Sequence, residues 1–199
     1  MRTEQGSIHD SRAIAAIYAE AFPHSTRFFF RKKKPERLSG LLELTFNLVF
    51  LWGGQAIVAK NDRGQLLGYC LYSTGRTPNR ALGPAIATAF RLLFRIGPSE
   101  ALLLTGNQLL MIFSARRTSP KRGGARIISI AVNPAFQSQG LGTALLRGAL
   151  QRLQKETIVL NVRPDNHAGR RLYEAAGFVI CGTRRDLLGR WLMLEKRPH

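Results

Sequence analysis

The chain has 199 residues and a formal net charge of +18, from 30 Lys and Arg against 12 Asp and Glu. Its apolar share of 45% excludes an intrinsically disordered chain despite the charge, and the length favours one domain with room for a real core. The two separated cysteines, Cys70 and Cys181, exclude a CxxC pair and argue against a disulfide framework; they fit a reducing compartment, so a cytoplasmic location is expected. The opening MRTEQGSIHD is too polar for a secretory signal, and no apolar run reaches about eighteen residues, so a spanning helix has no support. Composition leaves the charge surplus unexplained. Most of it is arginine, and it calls for an anionic partner: nucleic acid, lipid headgroup or a phosphorylated cofactor.

In chain order, a short strand is followed by a helix. Ser7 and Asp10 have capping-box spacing, Ile14, Ile17, Tyr18 and Ala21 share one helical face, and Phe22-Pro23 stops the helix. The basic-aromatic stretch Arg27 to Arg37 ends in Pro35-Glu36, a helix start, and Leu38 to Trp52 predicts a buried or docked helix closed by Gly53-Gly54. Gln55 to Lys60 and Leu66 to Ser73 read as strands around an Asn61-Asp62-Arg63-Gly64 turn. Arg76 to Arg126 breaks the rhythm, with nine basic residues and one acid, Glu100. Within it Ile86, Ala89, Phe90, Leu93 and Ile96 line one helical face, with Thr88, Arg91 and Arg95 on the other. Pro98 opens a second, more uniformly apolar segment up to Phe113. The whole is expected to be a helical insertion ending in a flexible basic loop, Arg116 to Gly124. Ile127 to Val132 and Ile158 to Val162 read as buried strands and Gly142 to Lys155 and Asn166 to Ala176 as helices, with Phe178 to Arg184 and Arg190 to Glu195 as a final strand pair. Strands alternating with helices predict an α/β domain with a mixed sheet.

The segment Ile127 to Leu146 carries the strongest chemical signal. A strand ends at Val132, Asn133-Pro134 turns, and Gln137-Ser138-Gln139-Gly140-Leu141-Gly142 runs into a helix. Glycines there admit close backbone approach, the N–H groups of a first helical turn point at a bound anion, and the helix dipole favours negative charge. A pyrophosphate is a natural ligand, although Gly-x-Gly alone also fits an ordinary tight turn.

Together with Asn166, Tyr173, Gly177 and Phe178, this segment resembles the GNAT superfamily of acyl-CoA-dependent N-acetyltransferases. Gln137, Gly140 and Gly142 match its Gln/Arg-x-x-Gly-x-Gly/Ala motif, and the resemblance runs from Ser7 to Lys196 apart from the insertion. It implies one acetyltransferase domain over 1–199, including the insertion at about 76–126, with a mixed, mostly antiparallel twisted sheet flanked by helices. It implies acetyl-CoA as co-substrate, lying between the two parallel strands. The main chain of Ile130, Ala131 and Val132 would meet its pantetheine arm. Gln137, Ser138, Gln139, Gly140, Leu141, Gly142 and Thr143 would hold its pyrophosphate. Asn166 would bond the arm or cap its own helix. Arg170, with Arg171, would pair with phosphates or form a solvated basic face. Tyr173 would protonate the leaving thiolate, a role suited to a phenol that keeps its proton at neutral pH; the other reading is a core tyrosine. The expected reaction is direct attack of an amine on the thioester.

The sequence departs from many relatives in one respect. The strand Ile127 to Val132 has no carboxylate, and its one polar side chain is Ser129. A water chain, a backbone carbonyl, Glu43 and Asp186 stand as alternative bases. His9, His24, His167 and His199 show no ligand spacing, so no metal site is expected. The acceptor, a small-molecule or protein amine, would be shaped by His24 to Leu38 and Arg185 to Arg190. Both stretches are basic, so an anionic acceptor or one carried on an anionic partner is expected, beside the alternative of a merely solvated surface. Two further readings stay open: a basic peripheral membrane-surface protein, and an RNA- or ribosome-associated protein. A homodimer through Ala101 to Phe113 is also open.

Overall fold

The structure is a computed structural model that describes residues 1–31, 33–74, 82–114, 116–117 and 124–198. Its frame is one eight-stranded sheet in the order β1-β2-β3-β5-β6-β8-β7-β4. The strands are β1 Arg2–Gly6, β2 Gln55–Lys60, β3 Leu66–Ser73, β4 Arg116–Arg117, β5 Ala125–Val132, β6 Ile158–Val162, β7 Val179–Asp186 and β8 Gly189–Lys196. Every neighbouring pair is antiparallel except β5 and β6. The sheet is therefore mixed and mostly antiparallel, as the alternating pattern and the family resemblance led us to expect. The β2–β3 turn forms because Asn61 Oδ1 accepts from the N–H groups of Arg63 (3.0 Å) and Gln65 (2.9 Å), and Gly64 supplies φ 78°.

Helices cover both faces, which explains why β2 and β3 are apolar almost throughout. On one side lie α1 (Ser11–Ala21) and α3 (Pro35–Leu51). There Ile14, Ile17, Leu42 and Phe46 pack with Val58, Tyr69 and Leu71. On the other side lie α6 (Leu141–Arg152) and α7 (His167–Ala175), which bury Leu145, Leu146, Ala149 and Tyr173 against Ile57, Cys70 and Leu160. Two glycines let α6 settle onto the sheet. A Cβ at Gly68 would stand 2.9 Å from the Ala131 carbonyl oxygen and 3.0 Å from Leu145, and one at Gly148 3.1 Å from Ile57. Both cysteines are buried thiols that form no disulfide, as expected.

Phe22-Pro23 ends α1 as expected, but the chain does not then enter a loop. Pro23 becomes the first residue of α2 (Pro23–Phe29), where its missing N–H costs nothing. Of the three consecutive phenylalanines, Phe30 packs at the edge of the core and Phe28 is exposed. The insertion is helical, consisting of α4 (Leu82–Arg95) and α5 (Pro98–Phe113). The basic loop expected over 116–124 lies mostly outside the described residues. Its first two residues are β4, a short edge strand on β7, and Ala125 already belongs to β5.

The helix α5 is oriented against its own hydrophobicity. Glu100, Asn107 and Ser114 recur every seven residues and so share one face, and that face is the docked one. Glu100 pairs with Lys33 at 3.1 Å and accepts the Gly97 N–H at 2.7 Å. Asn107 Oδ1 accepts from the Leu187 N–H at 2.9 Å. Ser114 Oγ donates to the Arg185 carbonyl and accepts its N–H, at 2.9 and 2.7 Å. These bonds tie the insertion to α2–α3 at one end and to the β7–β8 turn at the other.

Candidate functional site

The two parallel strands pair over a short stretch, Ala125 with Ile158 and Arg126 with Val159, and then part. The cause lies in β5. Its register against β3 slips between Leu71–Ser129 and Tyr72–Ile127, so Ile128 is an extra, bulged residue. A bulge bends its strand and sharpens the local twist. Past it, β5 continues along β3 while β6 follows β8, and an opening forms between them. Backbone direction along β5 follows from one bond. The Asn133 N–H donates to the Leu67 carbonyl at 2.8 Å, and main-chain groups alternate along an antiparallel strand. Ser129 and Ala131 therefore turn their main chain to β3, whereas Ile130 and Val132 turn theirs to the open edge. The Val132 carbonyl accepts a bond from Gln137 Nε2 at 3.2 Å. Ala131 is further withdrawn, since its side chain is buried with α1 and α3.

Beyond the end of β5 the chain makes a short turn at Pro134–Phe136 and enters α6. Two left-handed residues shape that entry, Ser138 (φ 63°) and Gly140 (φ 76°). Gly140 is the N-cap and has no side-chain cap bond, so the first-turn N–H groups of Leu141, Gly142 and Thr143 have no intrahelical partner. Gln137, Ser138, Gln139, Gly140 and Thr143 are exposed, while Leu141 anchors the turn in the core. Ser138 holds a backbone conformation that costs a non-glycine residue free energy, a strain that clusters at ligand-binding turns. The open strand edge leading to an uncapped helix N-terminus fits a long ligand that carries amides along its arm and phosphates at its end.

The other wall is α7. Asn166 is its N-cap and accepts the Gly169 N–H at 2.8 Å; a Cβ at Gly169 would collide with that side chain at 2.8 Å. The cap uses Oδ1 and leaves the amide NH2 for another partner. Leu172 lies next to Gly142, so α7 stands against the start of α6. Tyr173 is buried, with its ring edge-on to Phe178 at 5.9 Å. Burial pushes its phenol well above the ordinary value, helped by nearby Cys70, which is paired across the sheet with Ile130. Tyr173 thus belongs to the core on the α6–α7 side, against which Ile130 and Val132 of β5 pack, and its burial favours the protonated phenol. Arg170 donates to the Pro164 carbonyl (3.3 Å) and lies 3.6 Å from Glu174, while Arg171 is exposed.

Ser129 is bonded to Tyr69 at 3.0 Å on the α1–α3 side of the sheet. Of the two carboxylates singled out in the sequence, Glu43 pairs with Arg12 at 3.2 Å. Asp186 accepts three bonds, two from Arg163 at 2.8 and 2.9 Å and one from the Leu188 N–H at 2.9 Å. Arg163 also lies 3.9 Å over the Trp191 ring, fixing the β7–β8 turn. One carboxylate escaped the sequence reading. Glu20, at the end of α1, accepts a bond from Asn133 Nδ2 at 2.9 Å and so stands beside the end of β5. The two residues are 113 positions apart, and nothing local in the sequence links them.

Comparison with known proteins agrees with this arrangement. A family model described as Acetyltransferase (GNAT) family matches residues 12–178, across both motifs and the insertion. A ribosomal protein bS18-alanine N-acetyltransferase of Escherichia coli is 43% identical over 65 residues, 31% of this chain and 44% of that protein. The N-alpha-acetyltransferase RimI of Mycobacterium tuberculosis is 42% identical over 57 residues, 29% of this chain and 36% of that protein. The alignments thus span less than half the length of these relatives. A solved acetyltransferase from Corynebacterium glutamicum, described as histone acetyltransferase HPA2 and related acetyltransferase, superposes with TM-score 0.64 at 21% identity, covering 99% of this chain and 96% of that one. A GNAT superfamily phosphinothricin acetyltransferase from Sinorhizobium meliloti, solved with AcCoA, gives 0.58 at 16%, covering 98% and 86%. At these identities the likeness is one of fold. The splayed parallel strands, the glycine turn into α6 and the family match over most of the chain place it in the GNAT acetyltransferase family.

Proposed function

We propose that this chain transfers an acetyl group from acetyl-CoA to an amine by direct attack. The observation that carries the proposal is the opening between β5 and β6, with the uncapped start of α6 at its mouth and Tyr173 in the core on the α6–α7 side. The open-edge main chain of Ile130 and Val132 would bond the pantetheine amides. The N–H groups from Ser138 to Thr143 would hold the pyrophosphate, with Gln137 bracing the turn through Val132. Acetyl-CoA supplies the acyl group activated as a thioester. Tyr173 donates its proton to the departing sulfur, and burial keeps that proton in place until it is needed. No carboxylate stands on β5 between Ile127 and Val132, so the attacking amine sheds its proton to water along the open edge. The acceptor amine belongs to a protein or small molecule that is anionic or carried on an anionic partner. This follows from the basic stretches flanking the β7–β8 turn and α2, and the Escherichia coli relative, named for a ribosomal protein acceptor, supports it. A cytoplasmic location suits two buried cysteines that form no disulfide.

The test is calorimetric titration with acetyl-CoA, followed by measurement of free-thiol release over a panel of amines and N-terminal peptides. Binding together with thiol release on peptides supports the proposal. No heat with acetyl-CoA or a longer acyl-CoA removes it, and a clear preference for polyamines removes the anionic-acceptor reading.

A further inference from the structure

The insertion holds most of the large apolar side chains that this protein exposes. Among the described residues, on α4 these are Leu82, Ile86, Phe90, Leu93 and Phe94, the last 88% exposed; on α5 they include Leu102, Ile112 and Phe113, the last 82% exposed. The exposure follows from how each helix is docked. The apolar arc of α4 is wider than its contact with α3 requires. Ala85 is buried and Ala89, Leu92 and Ile96 half-buried, leaving the rest of the arc to solvent. On α5 the face carrying Glu100, Asn107 and Ser114 is docked, so Leu102, Leu109 and Ile112 point away from the protein. Monomeric soluble proteins seldom leave so many large apolar side chains on two successive helices uncovered.

Charge selects the partner. Arg91 adjoins the exposed arc of α4 and is itself exposed, while Arg95, also exposed, places its guanidinium beside Gly40 of α3. Between Leu82 and Phe113 the one acid is Glu100, which is buried and neutralised by Lys33. Two copies meeting through this face would bring positive charge to positive charge without a compensating acid. An anionic bilayer answers both features, accepting phenylalanine and leucine below its headgroups and arginine among them. Among the described residues no helix is long and apolar enough to cross a membrane, so the contact lies along the surface. We propose that the outward face of α4 and α5 docks this protein on an anionic lipid surface.

The experiment is co-sedimentation of the full chain with vesicles of phosphatidylcholine, with and without about 30% phosphatidylglycerol, beside the triple variant Phe90→Ser, Leu93→Ser, Phe94→Ser. All three side chains are exposed, so the variant should unfold at the same temperature as the parent. Expected is pelleting with the anionic vesicles at least about tenfold stronger than with phosphatidylcholine alone, and lost about tenfold in the variant. Absence of pelleting with anionic vesicles overturns the proposal. So does equal pelleting of parent and variant, which would place the contact elsewhere. A dimer in vesicle-free sedimentation that the variant dissolves would also overturn it, by assigning the face to a second copy.

Discussion

Tyr173 is where the chemistry of the proposal is most exposed to test. Tyr173→Phe should lower kcat about 100-fold while leaving acetyl-CoA affinity and melting temperature close to those of the parent, because the ring stays and the hydroxyl goes. Full turnover in that variant would end the general-acid role without touching the fold. The pH profile gives a second check. Burial raises the phenol, so its proton is retained through the alkaline range and activity should not fall at high pH through Tyr173 ionisation. With no carboxylate on β5, the rising limb should follow the acceptor's own ammonium, near pH 8 for an α-amine, at about its ordinary value. A rise near pH 5 to 6 that is insensitive to the acceptor would point to a protein base instead. Tyr173, Gly140 and Asn166 were legible in the sequence because each sits at a fixed offset inside a local motif. Ser138 in its left-handed conformation and Glu20 beside Asn133 were not. The first is a strain that a serine does not advertise, and the second is a contact made only by the tertiary fold.

The opening itself depends on how whole elements are held. α6 lies close to the sheet because β3 carries glycine at position 68, and Gly68→Ala should cost about 1–3 kcal/mol by overpacking against Ala131 and Leu145. By displacing the start of α6 it should also weaken acetyl-CoA binding, so denaturant titration and calorimetry should move together. At the other sheet edge, Lys60 joins β2 to Glu4 and Asp10 at 3.0 Å each. Burial alone would raise Asp10, but the Ser7 N–H and the Lys60 ammonium outweigh it and hold the carboxyl below its ordinary range. Bonds to Glu4 and Asp10 hold Lys60 above its own. The stability due to Asp10 is therefore present at neutral pH and lost as pH falls through its lowered value; that due to Lys60 is lost as pH rises through its raised one. Lys60→Met should cost about 1 kcal/mol at pH 7, and the difference from the parent should shrink at both extremes in urea titrations. Most strands and helices were readable from periodicity, and so were the hairpin and the helical character of the insertion, whereas α2 and the short β4 were not. Neither the bulge at Ile128 nor the facing of α4 and α5 was. A bulge in an apolar run leaves no change of composition, and periodicity identifies an apolar face without saying whether the protein or something else covers it.

Over the whole molecule, the charge of +18 has a smaller part on α6 and α7 and a larger part in α2–α3, the insertion and the β7–β8 strands. The first suits a phosphate-bearing co-substrate and the second an anionic acceptor or surface. Mutual repulsion at this density opposes the compact state, so the melting temperature should rise as salt goes from about 0.01 to 0.3 M and the screening length shortens. A melting temperature that is flat or falling would mean that ion pairs such as Lys33–Glu100 outweigh the repulsion. The central claim is that the gap between β5 and β6 with the start of α6 is an acetyl-CoA site. Calorimetry with acetyl-CoA on the parent chain and on Gly140→Val, which forces a β-branched residue to φ 76°, tests it most directly. The account predicts saturable one-to-one binding by the parent and a loss of at least about tenfold in the variant. Absence of binding by a folded parent, or unchanged affinity in a folded Gly140→Val, would contradict it.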